Sequence, residues 1–311
     1  MITPAQEKYW TAKLTEHRAR LIHAHFGHFG LDVLGIARSL RIPLLVTFHG
    51  MDASQLLNDA RYTRGLADLF EYAHVITISE DMARRLEPYG LRRPRLDVHY
   101  IGVPVENFRF VERRPVAQKF TSGDPVEFVQ VSNFVEKKGH RFTVESFARH
   151  LDKHPAHRLT LAGDGPLRRE IEALCAEKGI AGSVEFTGRV VKTQVNELMR
   201  RADVFLHHSV TAEDGDMEGL PTVIMEAMST GLVVVSTFHS GIPELIDTGV
   251  DGYLVGERDV AAYVDTLDGL AGCDPGMPAR ARAKIENKFN MSIQNDRLTR
   301  IYEKVIHERA A

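Results

Sequence analysis

The chain is poor in cysteine, in long apolar runs and in charge of one sign, and each shortage excludes something. Two cysteines in 311 residues make no disulfide framework, so a reducing, cytoplasmic setting is expected. Cys175 reads as a small helix residue and Cys273 as a loop thiol. No apolar run approaches the roughly 18 residues of a membrane span, and no signal-peptide pattern opens the chain. Net charge is −3, with no basic face of the kind that holds a polyanion, so no nucleic-acid partner is expected. There is no tandem repeat and no low-complexity tract. No G-x-G-x-x-G follows a strand with an acid downstream, which argues against a dehydrogenase.

What remains is ordinary for a globular protein, with 43% hydrophobic and 26% charged residues. Short apolar runs alternate with helix-length amphipathic segments. "RLIHAHF" (20–26), "PLLVTF" (43–48), "HVITIS" (74–79) and "LDVHYI" (96–101) read as strands. After about residue 112 the rhythm restarts with "VEFVQVSNF", "RLTLAG", "VEFTG", "DVFLHHS", "LVVVSTF" and "GYLV". Apolar strands alternating with helices predict parallel sheets covered on both faces. The fold class is therefore α/β, with two doubly wound, Rossmann-like domains. The expected boundaries are 1–112, 113–290 and a C-terminal helix, 291–311, packing back on the first domain. Ligands of such sheets bind at the carboxyl ends of the strands, and a cleft between two such domains is the natural site.

Several strand ends carry usable chemistry. "SNFVEKKGH" (132–140) follows a strand and is expected to open a helix near Gly139. That puts Lys137 and Lys138 at a helix N-terminus, where cations are disfavoured unless an anion joins them. A solvated charged turn is the alternative. "LAGDGPLRREI" places Gly163 and Gly165 in a strand-to-helix turn, with Pro166 near the first helical position. "FTGRV" is another strand-end glycine. "STFHSGIPELI" offers a second helix start, at Pro243 and Glu244.

"EDGDMEGLPTVIMEAM" (213–228) opens with four carboxylates in six residues and then turns apolar. Pro221 suits the first turn of a helix ending at Gly231. Val223, Ile224, Ala227 and Met228 form its core stripe. Glu226 shares a face with Thr222, Ser229 and Thr230, so it reads either as a solvated helix acid or as a functional one. Glu218 precedes it by eight residues, at most about 12 Å along a helix. "DGD" (214–216) invites a cation but lacks the further ligands of a calcium loop. His23 and His25 point to one face of a strand; a metal there needs a further ligand. His49, just past a strand end, reads as a proton-handling or a structural histidine. The basic residues Arg84, Arg85, Arg92, Arg93 and Arg95 read as a solvated face or as a membrane-surface contact.

In order along residues 21–306, "TFHG", "TISE", "YIGVPVENF", "EKKG", "GDGP", "FTGRV", the Glu-x7-Glu of "EGLPTVIME", "SGIPE" and a terminal "FNMSIQNDRLTRIYEKV" resemble the retaining glycosyltransferases of family four. Those enzymes have the two-domain GT-B fold. The run from Glu213 to Ile246 looks particularly like members that build bacterial exopolysaccharides or colanic-acid-type polymers. The resemblance implies transfer of a sugar from a nucleotide-diphosphate sugar, with retention of configuration, to a glycan or lipid-linked acceptor. Uridine and guanosine donors both remain open. It implies catalytic roles for His49 and Glu218. For donor binding it implies Lys138, Asn133, Gly165, Gly188, Arg189, Gly219, Leu220, Pro221, Thr222 and Glu226. Neither a metal nor a bound cofactor is expected, and peripheral contact with the inner face of the membrane is compatible with a lipid-linked acceptor.

There are two departures from the family pattern. The family usually has an arginine where this chain has Asn133, which removes a cation for the diphosphate. The chain also opens at what is the middle of the family's first domain, so that domain is expected to be incomplete. These departures leave a second reading, a non-catalytic nucleotide-sugar-binding homologue or partner subunit. A nucleotide-sugar epimerase of similar architecture is a third, disfavoured by the Glu-x7-Glu and "EKKG".

Overall fold

In the computed structural model, which describes residues 2–308, the apolar runs become ten strands in two all-parallel sheets. The first sheet holds β1 (Ile22–His25), β2 (Leu44–Phe48), β3 (His74–Thr77) and β4 (Leu96–Val98), in that order across the sheet. Every residue of β2 and β3 is buried, which is why those segments read as near-continuous apolar runs rather than alternating ones. β1 and β4 are shorter than their sequence runs.

The second sheet holds β5 (Glu127–Val131), β6 (Arg158–Ala162), β7 (Val184–Gly188), β8 (Val204–His207), β9 (Val233–Thr237) and β10 (Tyr253–Val255). Its order is β10-β9-β8-β5-β6-β7. From β5 the chain builds outward to one side, then returns to build from β8 to the other. The junction of β5 and β8 is thus a topological switch point, where the flanking loops part and leave a crevice.

Backbone contacts divide the chain into two compact units. Unit 1 comprises the chain up to Gly102, Asp214–Leu220 and the chain from Ser292 on; unit 2 is Val103–Glu213 with Pro221–Met291. Two boundaries differ from those read in the sequence. The stretch 103–112 belongs to unit 2, because Val103 exchanges backbone hydrogen bonds with Phe289 and Met291, and Arg282 donates to the carbonyls of Val105 and Phe108. The acidic stretch 214–220, placed by sequence in the second domain, belongs to unit 1. The terminal helix Met291–Glu308 covers unit 1's sheet, with Ile301 and Val305 against Leu45 and Ile76.

Unit 2's core is built on Phe128, Phe134, Phe147 and Tyr263, all fully buried. Both cysteines are buried: Cys175 in a helix and Cys273 in a loop, as the sequence reads, with the Cys273 thiol near Met277. No helix among the described residues is long and apolar enough to cross a membrane.

Candidate active site

In unit 1 the site is organised by a residue that motif reading missed. Asp52 is fully buried. Its Oδ1 accepts from the N–H groups of His49 (3.0 Å) and Gly50 (2.9 Å), and its Oδ2 from that of Gly27 (2.8 Å). Gly27 begins the helix Gly27–Leu40, so the carboxylate also sits where a helix dipole favours an anion. Three amide donors satisfy a carboxylate that burial would otherwise penalise. The result is a fixed loop at the carboxyl end of β2, with His49 at its head.

The His49 ring meets other histidines. Its Nε2 lies 2.9 Å from His25 Nδ1, with the rings stacked. Burial pushes the His49 pKa down; Asp52 opposes this and His25 adds to it. His23 lies between Tyr302 and Thr47, each at 2.8 Å, and is pushed down to about 4 by burial and then by His25, His49 and His99. These side chains form a hydrogen-bonded array, and neither His23 nor His25 lies in a three-donor metal cluster among the described residues.

The acidic stretch returns against this loop. A Cβ on Gly219 would come within 2.2 Å of the His49 carbonyl oxygen and 2.7 Å of Ile78. Only glycine permits that approach, and it carries the buried Glu218 to the His49 loop. Asp214 accepts from Gln55 (2.6 Å) and from the N–H of Asp216 (2.9 Å). Asp214 is therefore a loop tie, and the "DGD" acids form no three-donor cluster among the described residues. Arg85, read as part of a solvated face, is mostly buried; it bonds Asp81, the Ala53 carbonyl and Met217. Leu220 is buried and ends the stretch; the next residue, Pro221, opens unit 2.

In unit 2 the sequence-predicted residues gather at the carboxyl ends of β5, β6 and β7. Glu136–Lys138 is a 3-10 turn, and the helix begins only at His140. With Gly139 as the N-cap, Lys137 and Lys138 stand just before the helix N-terminus, as the sequence reads. Gly139, at φ 60°, is obligatory, because a Cβ there would lie 1.7 Å from the His208 carbonyl oxygen. This contact locks the Lys138 loop onto the end of β8 at the switch point. Burial, and after it Lys138, lowers the pKa of both His140 and His207. His140 is pushed down to about 3, chiefly by burial. Wholly buried His207 has no hydrogen-bond partner on either ring nitrogen among the described residues. Neither histidine was singled out from sequence. A lysine beside uncharged imidazoles leaves net positive potential at the switch point, a setting for an anion.

The glycine turn of β6 nests on the next loop. A Cβ on Gly163 would lie 2.0 Å from the Ser132 carbonyl oxygen, and one on Gly165 2.6 Å from that of Phe134. This fixes exposed Asn133 between them. Pro166 falls outside the following helix, which starts at Arg168. Gly188, at φ 72°, ends β7, and its carbonyl accepts from Gly163; Arg189 beside it is exposed. The "SGIPE" turn is a four-residue helix, Ile242–Leu245. That is too short to offer the second anion site read in the sequence.

Pro221 caps the helix Thr222–Thr230, and its carbonyl accepts from the Ile224 N–H. Ser229 and Thr230, expected beside Glu226 on a polar face, are buried, as is Met225, while Val223 is only half-buried. Arg282 and Arg113, bonded to the Ser229 and Thr230 carbonyls, close that side of the helix. Glu226 is consequently not a solvated acid. Burial raises its pKa to about 7, opposed by Lys192. Its carboxylate has no hydrogen-bond partner among the described residues.

Residues 113–288 match the family of glycosyl transferases group 1, and residues 2–107 match glycosyltransferase family 4. The chain is 35% identical over 301 residues to the putative colanic acid biosynthesis glycosyltransferase WcaL of Escherichia coli (strain K12), spanning 93% of this chain and 71% of that one. It is 31% identical over 294 residues to the amylovoran biosynthesis glycosyltransferase AmsK of Erwinia amylovora, spanning 92% and 70%. Among solved structures, Anabaena Alr3699/HepE in complex with UDP is similar at a TM-score of 0.80 and 21% identity, over 94% of this chain and 82% of that one; this likeness speaks to the fold. The chain belongs to the group 1 glycosyltransferases and has their GT-B fold of two parallel-sheet α/β domains.

Proposed function

We propose that this glycosyltransferase moves a hexose from a uridine or guanosine diphosphate sugar to a glycan or lipid-linked acceptor of a cell-surface polysaccharide, with retention at the anomeric carbon. The observation that carries the reading is Glu226, a half-buried carboxylate without a hydrogen-bond partner among the described residues, one turn into the helix that Pro221 caps. A desolvated acceptor-only group of this kind matches a pair of ribose hydroxyl donors. The named relatives act in colanic acid and amylovoran biosynthesis, and solved neighbours hold UDP and UDP-glucose.

In this reading Lys138 and the amide of Thr222, at the start of its helix, receive the diphosphate. As the sugar–phosphate bond breaks, negative charge grows on the departing diphosphate, and these fixed donors stabilise it without a metal. Asn133 supplies a neutral polar contact where a cation would be stronger. Gly165, Gly188 and Arg189 border the nucleotide. His49, held by Asp52 and His25, donates to the transferred sugar, and Glu218 lies at the reacting carbon. Contact with the membrane is peripheral, through the acceptor.

Calorimetric titration of the full chain with UDP, GDP, UDP-glucose and GDP-mannose tests this, with Glu226→Ala and Lys138→Ala beside the wild type. Binding of one nucleotide series, weakened at least tenfold in both variants, is expected. A folded wild-type chain that binds none of the four would overturn the reading and favour a non-catalytic role.

A further inference from the structure

Unit 2 carries a second concentration of chemistry, at the amino edge of its sheet and away from the strand ends described above. The helix His140–Leu151 runs from Gly139 back to the start of β6. Its last turn and the loop before Arg158 read "HLDKHPAH", with His150, His154 and His157. Asp268 comes from the helix Val260–Gly269. His150 Nδ1 lies 2.6 Å from Asp268 Oδ1, and His154 Nε2 lies 3.9 Å from the same oxygen. One donor atom from each of the three falls within 4.8 Å of the others.

We propose that His150, His154 and Asp268 form a Zn2+ site that ties the end of the helix His140–Leu151 to the helix Val260–Gly269. Three features carry this. The first is spacing. His150 and His154 are one turn apart, joined by a helical hydrogen bond from His154 N to His150 O, and H-x3-H puts two imidazoles on one metal. Zinc at about 2.0–2.1 Å from tetrahedral ligands needs donors about 3.3 Å apart. The two distances to Asp268 bracket that value and no pair is more than 4.8 Å apart, so side-chain shifts of about 1.5 Å or less close the site.

The second is the surroundings. His150 Nε2 lies 2.9 Å from His157 Nδ1. When the metal replaces the proton on His150 Nδ1, Nε2–H donates to His157, which fixes the ligating tautomer. Lys153 Nζ holds Asp268 Oδ2 at 2.6 Å and leaves Oδ1 to the metal. The edge of the Phe120 ring covers His154 and His157. The third is access. His150 is fully buried, whereas the His154 side chain is 29% exposed, so the ion enters past His154 and keeps a fourth position for water. Two neutral imidazoles and one carboxylate suit a borderline divalent ion better than calcium or magnesium.

The test uses the full chain, stripped with chelator, dialysed and titrated with zinc chloride by calorimetry, with metal per chain measured after desalting. One zinc per chain is expected, with affinity lowered at least tenfold in His154→Ala and in Asp268→Asn. Zinc raises the Tm of the wild type and leaves that of His154→Ala unchanged. The His154 side chain is partly exposed and lies past the helix end, so this variant folds without metal as the wild type does, which keeps the result interpretable. His25→Ala, in unit 1's histidine array, leaves zinc binding intact. Absence of zinc uptake at micromolar concentration, or uptake undiminished in His154→Ala, would overturn the site.

Discussion

The carboxyl ends of β2 and β5 both present candidate site residues, yet they are held by opposite means. In unit 1 one buried carboxylate, Asp52, collects three backbone N–H groups and so dictates where His49 stands. In unit 2 the loops around Lys138 and Asn133 are held by backbone against backbone, at Gly139, Gly163 and Gly165. The sheets differ in the same sense. Unit 1's four described strands run in sequence order, with no switch point, so a side chain must build the site; unit 2's order reverses at β5 and β8, and the crevice comes with the topology. A carboxylate anchor can be tuned, whereas a glycine contact admits no substitute.

That contrast is broken most forcefully at Gly139. Gly139→Ala places a methyl group 1.7 Å from the His208 carbonyl, on a backbone at φ 60°. It is expected to cost about 4 kcal/mol or more, read by urea unfolding. Asp52→Ala is next: three amides lose their acceptor, and about 3 kcal/mol is expected, with transfer activity lost alongside stability. His49→Ala should lower activity while leaving unfolding nearly unchanged, which separates the anchor from the group it holds.

Glu226→Gln sharpens the comparison, because it removes a strained charge instead of a support. The Glu226 pKa rises from 4.5 in its free state to about 7 in the fold. The folded state therefore holds a proton that the unfolded state releases, and stability falls as pH rises from about 4.5 to 7. Glutamine escapes that loss. The variant should be about 1–3 kcal/mol more stable than wild type at pH 8, with a smaller gain at pH 5, by thermal unfolding at both pH values. Because ribose hydroxyls favour the ionised carboxylate, nucleotide affinity of the wild type should rise from pH 6 to pH 8. The smallest effects concern the arginines. Arg84, 62% exposed at its side chain, should tolerate alanine within about 0.5 kcal/mol. Arg85, 19% exposed and bonded to the Ala53 carbonyl, should cost about 1–2 kcal/mol.

The sequence made the two sheets legible, because strands buried on both faces must be written as apolar runs, as "LLVTF" and "VVVST" are. The ordered motifs led to the strand ends and to the family. Less legible was whatever depends on what comes back over a face. Ser229 and Thr230 look like surface residues until Arg282 and Arg113 reach across to their carbonyls. The same closure turns Glu226 from an apparent solvated acid into a desolvated one. Asp52 gave no signal, since "HGMD" does not say that its carboxylate will face three amides. Residues 214–220 read as part of the second domain by position, but Gly219 permits their contact with His49 and they belong to unit 1.

The proposed function divides the labour, with unit 2 binding the nucleotide and His49 acting on the sugar. The most direct test measures UDP affinity and acceptor-free hydrolysis of the donor in His49→Ala and Glu226→Ala side by side. The account predicts that His49→Ala keeps UDP affinity within about threefold while hydrolysis falls roughly a hundredfold, a common scale for losing one positioned donor or proton carrier. It predicts that Glu226→Ala weakens UDP at least tenfold. If His49→Ala weakened UDP as much as Glu226→Ala does, the division would be contradicted.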